Sequence, residues 1–224
     1  MKSNKIFITD PQWFESGSLK NPISAIDENI EKIFSEFFSI NYDTKLLVTN
    51  TPTSAEKSSP IYNPYREKYG TKDIGAFDTA INQSFAKFIF LNGFEQEHFD
   101  YIAPLIKDTA EIIYFFKCPK ISNLSALSEF ANLKCVHIFH NNTLKCLWDV
   151  SRTTQLKALS FTMVSNLSNI ESLKNSNVEY IHFDSLDNNG SKKPCLFDIN
   201  IFDQTQNLKY LSLNFTDCEI EKTR

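Results

Sequence analysis

The sequence predicts an α/β fold in which a parallel sheet is assembled strand by strand from a repeating unit, each strand followed by a short helical or irregular return segment. Three observations carry that expectation. The pattern apolar-x-x-apolar-x-apolar recurs five times, starting at Ala110, Leu133, Leu156, Val178 and Leu208, with starts 23, 23, 22 and 30 residues apart. The return segments hold only about ten residues before the next strand, near the lower limit for a crossover helix. The chain has 5 glycines and no Gly-rich phosphate loop after any strand, which disfavours evenly spaced βαβ units of a nucleotide-binding domain.

From the amino terminus, residues 1–84 read as a capping region. Residues 5–9 suit a short strand ended by Asp10 and Pro11. A helix is expected from Ser24, with Asp27 as its capping acid, to about Ser39. Its Ile26, Ile30, Ile33, Phe34 and Phe37 share one face. Residues 45–49 read as a second strand. Residues 50–70, rich in Ser, Thr and Pro and then in Tyr, form a mobile or an Ω-like loop, and residues 73–84 a return helix with Ile74, Phe77 and Ile81 on one side. A small α/β domain with its own activity is the alternative to a cap.

Residues 85–224 carry the repeats, about six with a weaker first copy at Phe85, Phe88 and Phe90, the last incomplete. The ninth position of each unit is Gly93, Cys118, Asn141, Val164, Leu186 or Thr216, and the twelfth is Ile121, Leu144 and Leu167 in three consecutive units. Apolar residues in the return segments (Leu124 and Leu127, Leu147 and Val150, Ile170 and Leu173, Ile199 and Phe202) are expected to point inward. After Leu213 a polar tail either covers the last strand or leaves an open edge.

An L-x-x-L-x-L-like string at a period in the twenties, with Cys118 and Asn141 at the ninth position, resembles a degenerate leucine-rich repeat over about residues 85–216. That resemblance implies a right-handed solenoid with a parallel concave sheet and short convex segments. It also implies a non-catalytic module that binds a protein or peptide on the concave face.

Side chains alternate along a strand, so positions four and six face the core while three, five and seven face outward. The outward columns are Lys87, Ile112, Cys135, Ala158, Tyr180 and Tyr210; Ile89, Tyr114, His137, Ser160, His182 and Ser212; and Leu91, Phe116, Phe139, Thr162, Asp184 and Asn214. Ile112, Tyr114, Phe116, His137, Phe139, Tyr180, His182 and Tyr210 are the candidate partner-binding residues, since exposed aromatic clusters tend to mark interaction sites. The competing reading is that the cap or the 50–70 loop folds over this face. The insertion at residues 185–194 is either a specificity loop or a neutral excursion.

Chemistry is sparse. Cys118, Cys135, His137 and His140 are the only near-cluster of soft ligands, and no convergent tetrahedral set is evident, so neither a metal nor any other cofactor is expected. No nucleophile elbow, Walker loop, H-E-x-x-H or paired-acid motif occurs, and no catalytic residue is assigned. The net charge of −4, without a Lys/Arg tract, disfavours nucleic acid and anionic membrane as partners. The first residues lack a signal-peptide pattern and no run of eighteen apolar residues occurs, so a cytoplasmic location is expected. Five cysteines without C-x-x-C spacing read as small buried hydrophobes rather than a disulfide framework. An inhibitor or immunity-type binder is the specific form considered. The alternative is an enzyme or enzyme regulatory domain with a deep polar pocket in residues 1–84 or at their junction with the repeats.

Overall fold

Pentapeptides with apolar residues at alternate positions form strands, and here they lie side by side in chain order. The computed structural model describes residues 7–9, 45–49, 87–186 and 191–223. Its strands are β1 (Phe7–Thr9), β2 (Lys45–Thr49), β3 (Phe88–Asn92), β4 (Ile112–Phe116), β5 (Cys135–Phe139), β6 (Ala158–Thr162), β7 (Tyr180–Asp184), β8 (Tyr210–Asn214) and β9 (Glu219–Thr223). They form one nine-stranded sheet in the order β1 to β9. β2 through β8 run parallel, while β1 and β9 each pair antiparallel at an edge. The strands expected at residues 5–9 and 45–49 thus extend the same sheet. The helices expected from Ser24 and Asp73 and the 50–70 loop lie outside the described residues.

The return segments after β3 to β7 cross the same side of the sheet. Helix α1 (Gln96–Ile106) follows β3, and 3-10 turns η1 (Ser125–Glu129), η2 (Val150–Arg152), η3 (Glu171–Leu173) and η4 (Ile199–Gln204) follow β4 to β7. α1 packs on η1, η1 on η2, η2 on η3 and η3 on η4. α1 starts in a capping box in which Glu95 N–H donates to His98 Nδ1, and it turns Phe99, Ile102, Ala103 and Ile106 inward at helical spacing. The later connections, of similar or greater length, turn back through single 3-10 segments instead.

The core lies between the two layers. Positions one, four and six of the units starting at Ala110, Leu133, Leu156, Val178 and Leu208 are buried in it, for example Leu133, Val136 and Ile138, or Leu156, Leu159 and Phe161. Phe161 and Phe183 stack across β6 and β7 with centroids 4.7 Å apart. Leu124, Leu127, Leu147, Val150, Ile170, Leu173 and Phe202 close the core from the return side. Ile199 does not: it is 37% exposed, and Ile201 takes the inward place because η4 begins at Ile199.

The first copy is shifted by one residue from its expected phase. Phe88 pairs with Ile112 and Phe90 with Tyr114, so the unit begins at Ala86 and Ile89 and Leu91 face the core. Lys87, Ile89 and Leu91 therefore do not belong to the outward columns. A one-residue slip moves every side chain of a strand to the opposite face. The polar tail does cover the last strand, as β9 pairs with β8 from Tyr210↔Thr223 to Asn214↔Glu219. The new edge reads Glu-Ile-Glu-Lys-Thr, and charged residues on an edge oppose pairing with another chain.

Two ladders of side chains lock the register. Glu111 bridges Lys87 (2.7 Å) and Lys134 (2.6 Å), and Glu179 bridges Lys157 (2.7 Å) and Lys209, all at the second position of their units. The lysine partners hold both carboxyls below the usual glutamate range, Lys134 acting most on Glu111 and Lys157 most on Glu179. At the ninth position, buried Asn141 donates to the carbonyls of Cys118 (2.9 Å) and Ile121 (2.8 Å), while its Oδ1 accepts from Thr143 and Leu144 N–H. Cys118 does a weaker version of this, its thiol 3.4 Å from Leu91 O and accepting from Phe94 N–H at 3.3 Å.

Candidate functional site

The face of the sheet turned away from the core places the expected site residues in rows, one row per strand position. Constant register sets Ile112, Cys135, Ala158, Tyr180 and Tyr210 side by side. Tyr114, His137, Ser160, His182 and Ser212 form the next row, and Phe116, Phe139, Thr162, Asp184 and Asn214 the third. All eight candidate residues share this face, but they are not an exposed surface. Ile112, Tyr114, His137, His182 and Tyr210 are buried, and only Phe116, Phe139 and Tyr180 are half-buried. The 50–70 loop, weighed above as a cover, lies outside the described residues.

Toward β4 and β5 the face is a ladder of rings. Tyr114 lies 4.3 Å from His137 and meets Phe116 edge-on at 5.9 Å. Phe116 stacks nearly parallel on Phe139 at 5.1 Å, and His140 meets the edge of Phe139. The Lys117 ammonium sits 5.1 Å from the Phe116 ring centre, within cation–π range.

Lys117 and His140 reach the strand ends through an uncommon backbone shape. Gly93 (φ +68°), Lys117 (φ +49°), His140 (φ +60°) and Met163 (φ +57°) occupy the eighth position of four consecutive units in the left-handed region. Each turns the chain off its strand while its N–H still donates to the next strand, to Phe116, Phe139, Thr162 and Asp184 O respectively. Glycine adopts this shape freely, whereas an L side chain there costs about 1–2 kcal/mol. Neither Lys117 nor His140 was singled out by the outward-column pattern, and the one readable signal was the glycine at position 93.

Toward β6 to β8 the face is polar. His182 Nδ1 lies 3.1 Å from Ser212 Oγ, and Asp184 accepts from Leu186 N–H at 3.0 Å. Both His137 ring nitrogens, Ser160 Oγ, Thr162 Oγ1 and Asn214 Oδ1 are buried and complete no hydrogen bond among the described residues. Burial drives the His137 pKa down to about 3, with the neighbouring His182 adding to the shift and the Ser160 backbone opposing it, so the ring is neutral at physiological pH. Burial raises Asp184 against the pull of Leu186 N–H, the Asn214 side chain and Lys192. His140 is lowered, first by burial and then by Lys117. Burial also raises the Cys135 and Tyr114 pKa values, which leaves both groups protonated and unreactive.

Among the described residues no group of three or more His, Cys, Asp and Glu is arranged to hold a metal ion. No helix among them is long and apolar enough to cross a membrane. A cleft of about 210 Å³ opens at the carboxyl-terminal end of the stack, where the return layer stops at η4 while the sheet runs on to β9; Ile199, Phe202, Leu211 and Ile220 line it with Asp203 and Lys209. This is far from residues 1–84 in sequence, where a deep polar pocket was the mark of an enzyme, and most of those residues lie outside the described set. Comparison with known protein families, with curated proteins and with solved structures gave no match.

Proposed function

We propose that the chain is a leucine-rich-repeat-type solenoid working in the cytoplasm as a non-catalytic module that binds a protein or peptide. An inhibitory or neutralising binder is the form we favour. The observation that carries this reading is the run β3 to β8, parallel and in one register, with core-facing side chains at positions four and six and rings gathered on the opposite face. Asn141, bonding the backbone where the chain leaves β5, supports the repeat reading further.

Within the eight candidate residues the burial divides the labour. Phe116, Phe139 and Tyr180 retain accessible ring surface and make the direct contact, with Lys117 and His140 beside them. Ile112, Tyr114, His137, His182 and Tyr210 support them from behind. Three rings supply much less than the roughly 800 Å² per partner of a standard interface, so adjoining loops take part.

The test is to immobilise the purified protein and recover specific binders from a lysate of its source cells. The capture is repeated with Phe116→Ala/Phe139→Ala, after circular dichroism has shown that variant to be folded. A specific protein lost with the two rings supports the reading. The same proteins recovered by both forms would move the contact off this face.

A further inference from the structure

The longest connection in the repeat region, between β7 and β8, passes beside the β8–β9 turn at Lys193 to Cys195. Two hydrogen bonds join the connection to that turn and a third closes the turn itself. Thr216 N–H donates to Lys193 O (3.1 Å), Cys195 N–H to Asp217 Oδ1 (2.8 Å), and Phe215 N–H to Cys218 O (2.8 Å). Ser185 pins the other end of the connection, its hydroxyl shared between Lys193 O (2.9 Å) and Asn214 O (3.0 Å). Cys195 and Cys218 each stand two residues beyond the bonded pair Lys193 and Thr216, on adjacent segments. Both are part-buried against the same core, and both carry free thiols. Burial raises the Cys195 pKa against the opposing backbone hydrogen bond at Phe197, with Cys218 and Asp217 adding to the rise, and burial and then Asp217 raise that of Cys218.

The other three cysteines are placed differently. Cys118 bonds the backbone of a neighbouring unit, Cys135 is sealed between β4 and β6, and Cys146 is exposed. We propose that Cys195 and Cys218 form a reversible disulfide that staples the β7–β8 connection to the β8–β9 turn, making the carboxyl-terminal end of the stack redox-sensitive. The oxidant is a low-molecular-weight disulfide such as glutathione disulfide. The Cys218 thiolate, formed by loss of its proton to solvent, attacks one glutathione sulfur and expels a glutathione thiolate. The Cys195 thiolate then attacks the Cys218 sulfur of the mixed disulfide and expels the second. Two protein thiols are oxidised, one glutathione disulfide is reduced to two glutathiones, and the two protons released by the protein are taken up by the leaving thiolates. Because both thiols have raised pKa values, the exchange accelerates with alkaline pH.

The full chain, incubated with glutathione disulfide at mildly alkaline pH, alkylated and digested, is to be mapped by mass spectrometry and melted beside its reduced form. The expected result is a Cys195–Cys218 linked peptide, lighter by two hydrogens than its parts, and an oxidised protein that melts several degrees above the reduced one. The linkage is expected to survive Cys146→Ser and to vanish in Cys218→Ser. Cys195 and Cys218 recovered only as alkylated or glutathione-capped residues, a linkage that instead uses Cys146, or an oxidised form that melts no higher than the reduced one would each overturn the proposal.

Discussion

The core face of β4 to β8 is buried throughout and the outer face over much of its area, and the two are made of opposite chemistry. On the core face every inward position is aliphatic or Phe, packed without a polar atom, as in Val136, Ile138, Leu159, Phe161, Ile181 and Phe183. On the outer face the same strands bury Tyr114, His137, Ser160, Thr162 and His182, and five polar atoms of that face complete no hydrogen bond among the described residues. The difference teaches that burial alone does not mark a stability core. The first face packs without polar groups, whereas on the second each buried polar group left without a partner would cost about 1–3 kcal/mol.

If the core face holds the fold, Phe161→Ala should give the largest effect. The loss of the Phe161 ring, fully buried and stacked on Phe183, is expected to lower unfolding free energy by about 3–5 kcal/mol in urea titration. Next comes Asn141→Ala, which removes two donors and the acceptor of two N–H groups at the turn off β5. A loss of about 2–3 kcal/mol is expected, with faster amide exchange at Thr143 and Leu144.

The outer face is expected to behave the other way. His137→Leu should be neutral or up to about 1 kcal/mol stabilising at neutral pH, because it puts an apolar group in place of a buried ring whose nitrogens complete no hydrogen bond among the described residues. It should also change the pH profile. With a folded pKa of about 3 against an ordinary 6.5, His137 contributes stability that is fully present above 6.5 and is lost as pH falls toward 3. The wild type is therefore expected to lose about 1.4 kcal/mol per pH unit relative to His137→Leu across that window. The smallest effect belongs to the strand ends. Lys117→Gly relieves a left-handed side chain but loosens the unfolded chain, for a net gain of about 0.5 kcal/mol, whereas Met163→Val at the equivalent position should destabilise.

Much of the core face was legible, since period-two alternation inside a repeat of twenty-odd residues names its inward positions directly. Asn141 was equally readable, because an amide at the ninth position has a backbone to bond. The phase of the first unit was not. Phe85-x-x-Phe88-x-Phe90 and Ala86-x-x-Ile89-x-Leu91 both satisfy the same pattern, and only the cross-strand register to Ile112 and Tyr114 separates them. Gly93, which falls at the left-handed eighth position only in the second alignment, was the local clue. Helix α1 was missed although Phe99, Ile102, Ala103 and Ile106 stand at helical spacing behind Glu95 and His98. For the outer face, the sequence named which residues share it but not how deeply they sit, because burial depends on what packs over a strand and not on the strand's own pattern.

If the outer face is a second, polar interior, with the proposed recognition left to its rim, His137 reports on that directly. Its imidazole should be followed by NMR through a pH titration, with its signals assigned by their loss in His137→Leu. A ring that stays neutral through the physiological range and protonates only near pH 3 is the predicted result. Titration near the ordinary value of 6.5 would show the row open to water and contradict the account.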